Sequence, residues 1–312
     1  MMRMRYKLYF TFLLIVGIMY DGFSQQLPVN SLYMFDQMLI NPAYAGVHVQ
    51  LSGTAIYRNQ WVNLEGSPQT FTGTLHSGFR GNRMGIGLKL ESDKIGVHQD
   101  NSVYVAYSYK IPLYNGGTIS MGLQAGADFL KSDWSLTNAK DLSGQFATTA
   151  LSEVNPNFGA GLFYNYRGFY AGFSVPYILD SKSVTDFNGV LSEAKNVRNY
   201  YLTAGTTYVL SPNFKLIPST LLRVQDGAPF SFDLSTNLII EETVGFGATY
   251  RLTEGFIWMF ELKINENFHL GYAYDTTLSD LNKVSNGSHE IMLNYRIKIP
   301  RLHSGLECPS YF

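Results

Sequence analysis

Charge, cysteine and long apolar runs are all scarce in this sequence, and each scarcity removes a class of protein. Asp, Glu, Lys and Arg make up 15% of the 312 residues, against roughly 25% in soluble domains, too little to clothe a surface that faces water on every side. The single cysteine, Cys308, excludes an intrachain disulfide framework, and no cysteine stands near the start to carry a lipid. Beyond Tyr20 no apolar run approaches the ~20 residues of a membrane-spanning helix, and a mean hydropathy of -0.04 is too polar for a helical bundle. Net charge is -1 with the basic residues dispersed, which gives nucleic acid no electrostatic footprint. Aromatic side chains, by contrast, are plentiful, at 15% with 22 Tyr and 21 Phe. A wall that is apolar toward lipid and polar toward an enclosed interior satisfies all of these numbers.

The first residues read as an export signal. Arg3, Arg5 and Lys7 form a basic start, Leu8 to Tyr20 an apolar core, and Gly22-Phe23-Ser24 a small-residue cleavage site. This divides the chain into a signal over 1–24, an amino-terminal periplasmic or plug segment over 25–49, an outer-membrane β-barrel over 50–300 and a tail over 301–312.

From about residue 50 the apolar pattern has period two, the strand period. In His289 to Ile299, Ile291, Leu293, Tyr295, Ile297 and Ile299 face one way and Glu290, Asn294, Arg296 and Lys298 the other, with Met292 the one apolar residue on the polar side. The same reading predicts fourteen strands, starting near 50, 67, 83, 101, 117, 155, 167, 197, 213, 229, 243, 255, 267 and 288. The fold class is therefore all-β, a transmembrane antiparallel barrel with a short amino-terminal helical plug or docking segment. Even-numbered connections are tight, such as Gly81-Asn82, Arg167-Gly168 and Glu241-Glu242, while most odd-numbered ones are long, such as Lys131 to Val154 and Pro176 to Asn196. Short periplasmic turns and long outer loops are the barrel rule, which places both termini in the periplasm. Pro218, in the ninth strand, predicts a bulge or break. The inward rows hold Gly, Ser and Thr with scattered charges: Arg83, Lys89, Asp128, Glu261, Lys263, Asp275 and Arg296. A barrel this wide encloses more room than such side chains fill, so water or a folded segment should occupy it.

Ahead of the first strand, Asn30-Ser31 can cap a short helix over Leu32 to Ile40, stopped by Asn41-Pro42. This stretch is more apolar than an exposed linker requires. It reads either as a lumen plug or as a docking element at the periplasmic mouth, anchored by Tyr33, Phe35 and Met38; Asn41, Pro42, Tyr44 and Gly46 complete the candidate partner-binding set.

Chemistry is hard to find. His289-Glu290 opens like a zinc-protease motif, but Leu293 stands where the second His belongs, and the segment reads as strand. Gly85-Ile-Gly87, Gly159-Ala-Gly161 and Gly245-Phe-Gly247 are alternate glycines on inward faces, not phosphate loops, because no helix follows. No Gly-x-Ser-x-Gly elbow occurs, and Asp133, Asp141 and Asp180 match no calcium loop. The expectation is a protein that is not an enzyme and needs no cofactor or metal.

The run Phe35-Asp36-Gln37-Met38-Leu39-Ile40-Asn41-Pro42-Ala43-Tyr44-Ala45-Gly46 resembles the opening signature of the PorP/SprF family of type IX secretion system membrane proteins. Tyr57-Arg58-Asn59-Gln60-Trp61, Gly66-Ser67-Pro68 and the stretch from His289 to Tyr295 are similar to later parts of that family, so the resemblance spans nearly the whole mature chain. It implies an outer-membrane barrel that works with other type IX components, including a periplasmic ring lipoprotein and its partner. It also implies support for the export or surface attachment of particular cargo, such as motility adhesins. On that view residues 32–46 and the turns Phe79 to Arg83 and Glu241-Glu242 meet the apparatus, and the long loops meet cargo or a surface protein. The alternative is an outer-membrane transport barrel for hydrophobic or small solutes.

Overall fold

The computed structural model describes residues 29–48, 50–79, 82–133, 150–187, 190–196, 198–225, 229–252, 254–278 and 284–297. The export signal, Asp141 with the centre of the fifth connection, and the tail 301–312 lie outside the described residues.

Period-two sequence becomes strand throughout: β1 (Leu51–Asn59), β2 (Gln69–Phe79), β3 (Met84–Ile95), β4 (His98–Pro112), β5 (Thr118–Asp133), β6 (Ala150–Tyr166) and β7 (Phe169–Val175). A hairpin, β8 (Ser181–Phe187) and β9 (Val190–Asn196), pairs only with itself. Then come β10 (Asn199–Thr206), β11 (Tyr208–Ser211), β12 (Phe214–Gln225), β13 (Ser231–Ile240), β14 (Val244–Arg251), β15 (Gly255–Lys263), β16 (Phe268–Thr277) and β17 (Ser288–Ile297). Neighbours are antiparallel, β10 and β11 run in turn along β12 as one stave, and β1 pairs with β17 from Leu51↔Ile297 to Asn59↔His289. The result is a closed antiparallel barrel of fourteen staves, which leaves no long unpaired edge.

The wall is apolar outside and polar inside. In β2, Phe71 and Leu75 are exposed while Thr70, Thr72, Thr74 and His76 are buried; in β13, Leu234 is exposed while Ser231, Asp233, Ser235 and Asn237 are buried. Three tight connections explain their own sequences. Arg167 and Gly168 both have positive φ, as a two-residue hairpin turn that matches strand twist requires. Glu241 and Glu242 adopt the same region between β13 and β14, and Asn82 does so between β2 and β3.

Each predicted strand start has its stave, with differences that have physical causes. Strands β4 and β6 begin earlier than expected, at His98 and Ala150, and β3 meets β4 through the two-residue turn Gly96-Val97. There Glu91, Ser92 and Asp93 face Ser102, Asn101 and Asp100; ladders that rise past the lipid carry polar residues on both faces, so the alternation fades. Arg83 is exposed in the β2–β3 turn instead of inward. Pro218 leaves β12 continuous, and the interruption falls on the neighbouring stave, between β10 and β11 at Thr207, across from the position where proline offers no N–H. The expected helix over Leu32 to Ile40 is absent. Its place is taken by 3-10 turns at Gln37–Leu39 and Pro42–Tyr44, capped by Asp36 and Asn41.

Candidate functional site: the occupied lumen

Residues 31–47 are all buried, and what buries them is the inward face of the barrel. Backbone groups that a helix would have satisfied are satisfied by the wall instead, which is why no helix is needed. Glu290 accepts the N–H groups of Ser31 and Leu32 at 2.8 and 2.9 Å. Lys89 donates to the Leu39 carbonyl at 3.3 Å, Ser174 to Ile40 at 2.6 Å and Ser108 to Ala45 at 2.6 Å, and Lys110 donates to Gly46. The Asn41 amide donates to the Leu162 carbonyl at 3.0 Å while its oxygen caps Ala43 N–H at 2.9 Å.

Two patches of the otherwise polar lumen are apolar. Ile56, Tyr201, Leu221, Ile257, Met259, Ala273 and Met292 join Leu32, Met34, Phe35, Leu39 and Ile40 in one core. Met292, the odd residue of the closing strand, is fully buried there. Met38, Ala43, Tyr44, Ala45 and Val47 form a second core with Ala106, Phe163 and Tyr170, in which the Tyr44 and Phe163 rings meet edge-on at 5.4 Å. Between them the wall offers glycine. A Cβ at Gly122 would enter the Pro42–Ala43 backbone, one at Gly85 the Ala45 carbonyl, and one at Gly161 the Asn41 side chain. The alternate glycines thus form a shallow track in which residues 41–46 lie backbone against wall, and Gly46 turns out of it with φ +64°.

Two ionic centres hold the segment. Toward its amino-terminal end, buried Arg58 reaches Ser31 Oγ at 2.7 Å, Glu290 at 3.0 Å and Asp275 at 3.0 Å. At mid-height Asp36 accepts from Thr54 at 2.8 Å and from Thr74, and its Oδ1 lies 3.6 Å from His76 Nε2. Burial alone would raise the Asp36 pKa, but hydrogen bonding and charge from His76, then the Thr74 and Thr54 hydroxyls, outweigh it and hold the carboxyl well below the usual range. The His48 imidazole is pushed well below its ordinary value by burial, then by Arg296, His76 and Lys110.

The sign of the Asp36 shift makes a pH prediction. A carboxyl lowered in the folded state stabilises above its unfolded pKa of about 4, and that contribution is lost as pH falls toward the folded value. Asp36→Asn should therefore lower stability at neutral pH by about 1–3 kcal/mol, the scale of a buried hydrogen-bonding group left unsatisfied. The gap from wild type should narrow progressively below about pH 4. Heat-modified gel mobility of the purified barrel at several pH values reads both effects; a pH-independent gap would contradict the assignment.

The segment also has a direction. Strand β1 runs from the tight-turn rim at Leu51 to the long-loop rim at Asn59, so Arg58 marks the loop-bearing half, whereas Gly85 and Lys110 lie near the turn-bearing ends of β3 and β4. Ser31 sits beside Arg58 and Gly46 beside Gly85 and Lys110, so the chain descends the lumen from the loop half to the turn rim before entering β1. Of the sequence-predicted residues, Tyr33 and Phe35 line the upper part of this path and Met38, Asn41, Pro42, Tyr44 and Gly46 the lower part. All seven are buried. The residues that hold them, Arg58, Lys89, Ser108, Ser174 and Glu290, were not singled out as partners of the segment, although inward charges had been expected. His289 and Glu290 face opposite sides of the wall, as strand neighbours must.

The long loops close over the top. Asn157 accepts from the Ile178 and Leu179 N–H groups at 3.0 Å each, and Gln124 donates to the Pro176 carbonyl at 2.9 Å, so the connection after β7 dips inward.

Among solved structures, the chain is similar to the CymD monoaromatic hydrocarbon channel, at 10% identity and a TM-score of 0.51, over 90% of this chain and 96% of that one. It is also similar to the Pseudomonas putida toluene transporter TodX, at 8% identity and a TM-score of 0.52, over 88% and 95%. At such identities the likeness shows the fold. No curated protein matches the sequence. The model of a family described as type IX secretion system membrane protein PorP/SprF matches residues 22–295.

Proposed function

The chain belongs to the PorP/SprF family of type IX secretion system membrane proteins, and from that premise we propose that it acts as a non-enzymatic outer-membrane subunit supporting export or surface attachment of specific cargo. Motility adhesins are the cargo class the family suggests, and a periplasmic ring lipoprotein with its partner the apparatus it would meet. The observation that carries this reading is the occupied lumen: wall and segment are bonded to each other through most of the barrel's height, an arrangement suited to a scaffold with a fixed mouth.

The seven buried residues enter as part of that scaffold. Tyr44 and Gly46 set the form of the turn-bearing mouth, and Tyr33, Phe35, Met38, Asn41 and Pro42 lock the segment above it, so partners read a surface that these residues shape. Deleting the protein should abolish surface display of particular large proteins while general permeability stays unchanged. Polar replacements at Phe35, Met38 and Tyr44 should diminish co-purification of other secretion components from native membranes; undiminished recovery of those components would count against the reading.

Turns facing the periplasm complete the proposal. The start of β1 and the end of β17 lie at that rim, whereas Ser31 is in the opposite half. In a Cys308→Ser background, Glu65→Cys in the exposed β1–β2 loop should react with an impermeant maleimide on intact cells. Tyr114→Cys, at the fully exposed β4–β5 turn, should react only after the outer membrane is breached. The reverse pattern would invert the barrel.

A second reading, transport of hydrophobic or small solutes, draws on the likeness in fold to a hydrocarbon channel and a toluene transporter. It requires substrate-dependent flux through the purified protein in liposomes, and the segment filling the lumen stands in the way of such flux.

A further inference from the structure

The lipid-facing surface is not uniformly bulky. On neighbouring staves the outward residues Thr236, Ala248, Trp258 and Tyr274 form one rung, and Leu238, Phe246, Phe260 and Tyr272 the next rung toward the turn rim. Because Thr236 and Ala248 are small while Phe246, Trp258 and Phe260 stand out from the wall, the surface sinks into an apolar groove of about 520 Å³ that extends to Leu216. Leu216 lies two residues from the turn-rim end of β12, so the groove opens toward the leaflet at that rim. Beside Leu216 stands Lys215, at the rim itself, facing the exposed carboxylate of Glu242.

We propose that this groove is a phospholipid site: one acyl chain of a phospholipid from the turn-side leaflet lies between the Phe246–Phe260 and Trp258 side chains over Ala248, with its phosphate at Lys215. The groove opens only to hydrocarbon, where association rests on close van der Waals packing, and a recess floored by small residues and walled by rings offers a chain more contact than the flat wall beside it. The polar end of the ligand is set by the one cation at the groove's rim-side end, whose present partner Glu242 is exposed and exchangeable with water or phosphate. The choice of leaflet follows from the position of Leu216 and Lys215 and holds whichever compartment the turns face.

The test is native mass spectrometry of the purified full-length barrel, stripped by detergent exchange and titrated with dioleoyl phosphatidylglycerol. Wild type should retain one phospholipid, and Ala248→Trp, which fills the recess from the lipid side, should weaken retention about tenfold, equivalent to 1.4 kcal/mol. Lys215→Ala should reduce the preference for this anionic lipid over phosphatidylcholine. Thr236→Phe provides a second filling variant should Ala248→Trp fail to show the heat-modified mobility of a folded barrel. Equal retention by wild type and the filled variants overturns the site. Preferential retention of lipopolysaccharide overturns the leaflet. A dimer present in wild type and lost in the filled variants overturns the ligand in favour of a second copy.

Discussion

Replacing Glu290 with alanine is expected to lower the stability of the barrel by about 3–5 kcal/mol, the range for breaking a buried ion pair from one side. The side chain is 1% exposed and serves Ser31 N–H, Leu32 N–H and Arg58 together. Removing it strands two buried backbone donors, which no water can reach without opening the loop-bearing end. Arg58 keeps Asp275, so its own charge stays compensated. Glu290→Gln should therefore lose less, since its amide oxygen can still accept from one or both N–H groups. The temperature at which gel mobility shifts on heating measures the loss, and proteolysis of residues 29–48 measures release of the segment. A variant that melts with wild type and stays protected would show that the segment is held elsewhere.

Adding side chains to the glycine track should open the lumen. Gly122→Val and Gly161→Val each place carbon where the Pro42–Ala43 backbone or the Asn41 side chain now lies, and neither can be accommodated while residues 41–46 stay seated. Gly73→Val is the control, because a Cβ there meets nothing nearer than Phe71 at 3.9 Å. With the lower half of the segment displaced, a barrel of about fourteen strands holds a water-filled passage, as larger barrels do. Planar-bilayer recordings should show stable currents for the two track variants, and no current for wild type or the control. Silent track variants that remain folded would mean that the wall yields and the segment does not.

How much of this was legible beforehand depended on whether a residue's neighbours repeat. Strand positions follow from alternation between lipid and interior, a condition that recurs at each rung, and the tight turns follow from residues that tolerate positive φ. Beyond the hydrocarbon both faces of β3 and β4 meet water, so the alternation ended at about Leu90 although the strands did not. The segment misled for a different reason. Leu32 to Ile40 has the look of a helix only if its backbone must satisfy itself, and here Glu290, Lys89 and Ser174 satisfy it from strands remote in sequence. Met292 and the paired glycines were visible as exceptions on an inward face. Their meaning required knowing that something apolar would lie against them.

The Arg58–Glu290 pair has one more consequence, because its two residues are register partners on β1 and β17, the first and last staves. The hoop is fastened where these two meet, and Ser31 and Leu32 are tied into the fastening itself. A peptide so placed cannot slip in through a finished ring's wall; it must already be coiled within the curling sheet when the ends join. Maturation of this protein is thereby ordered in time, with its earliest residues serving as the mould on which the final strand comes to rest.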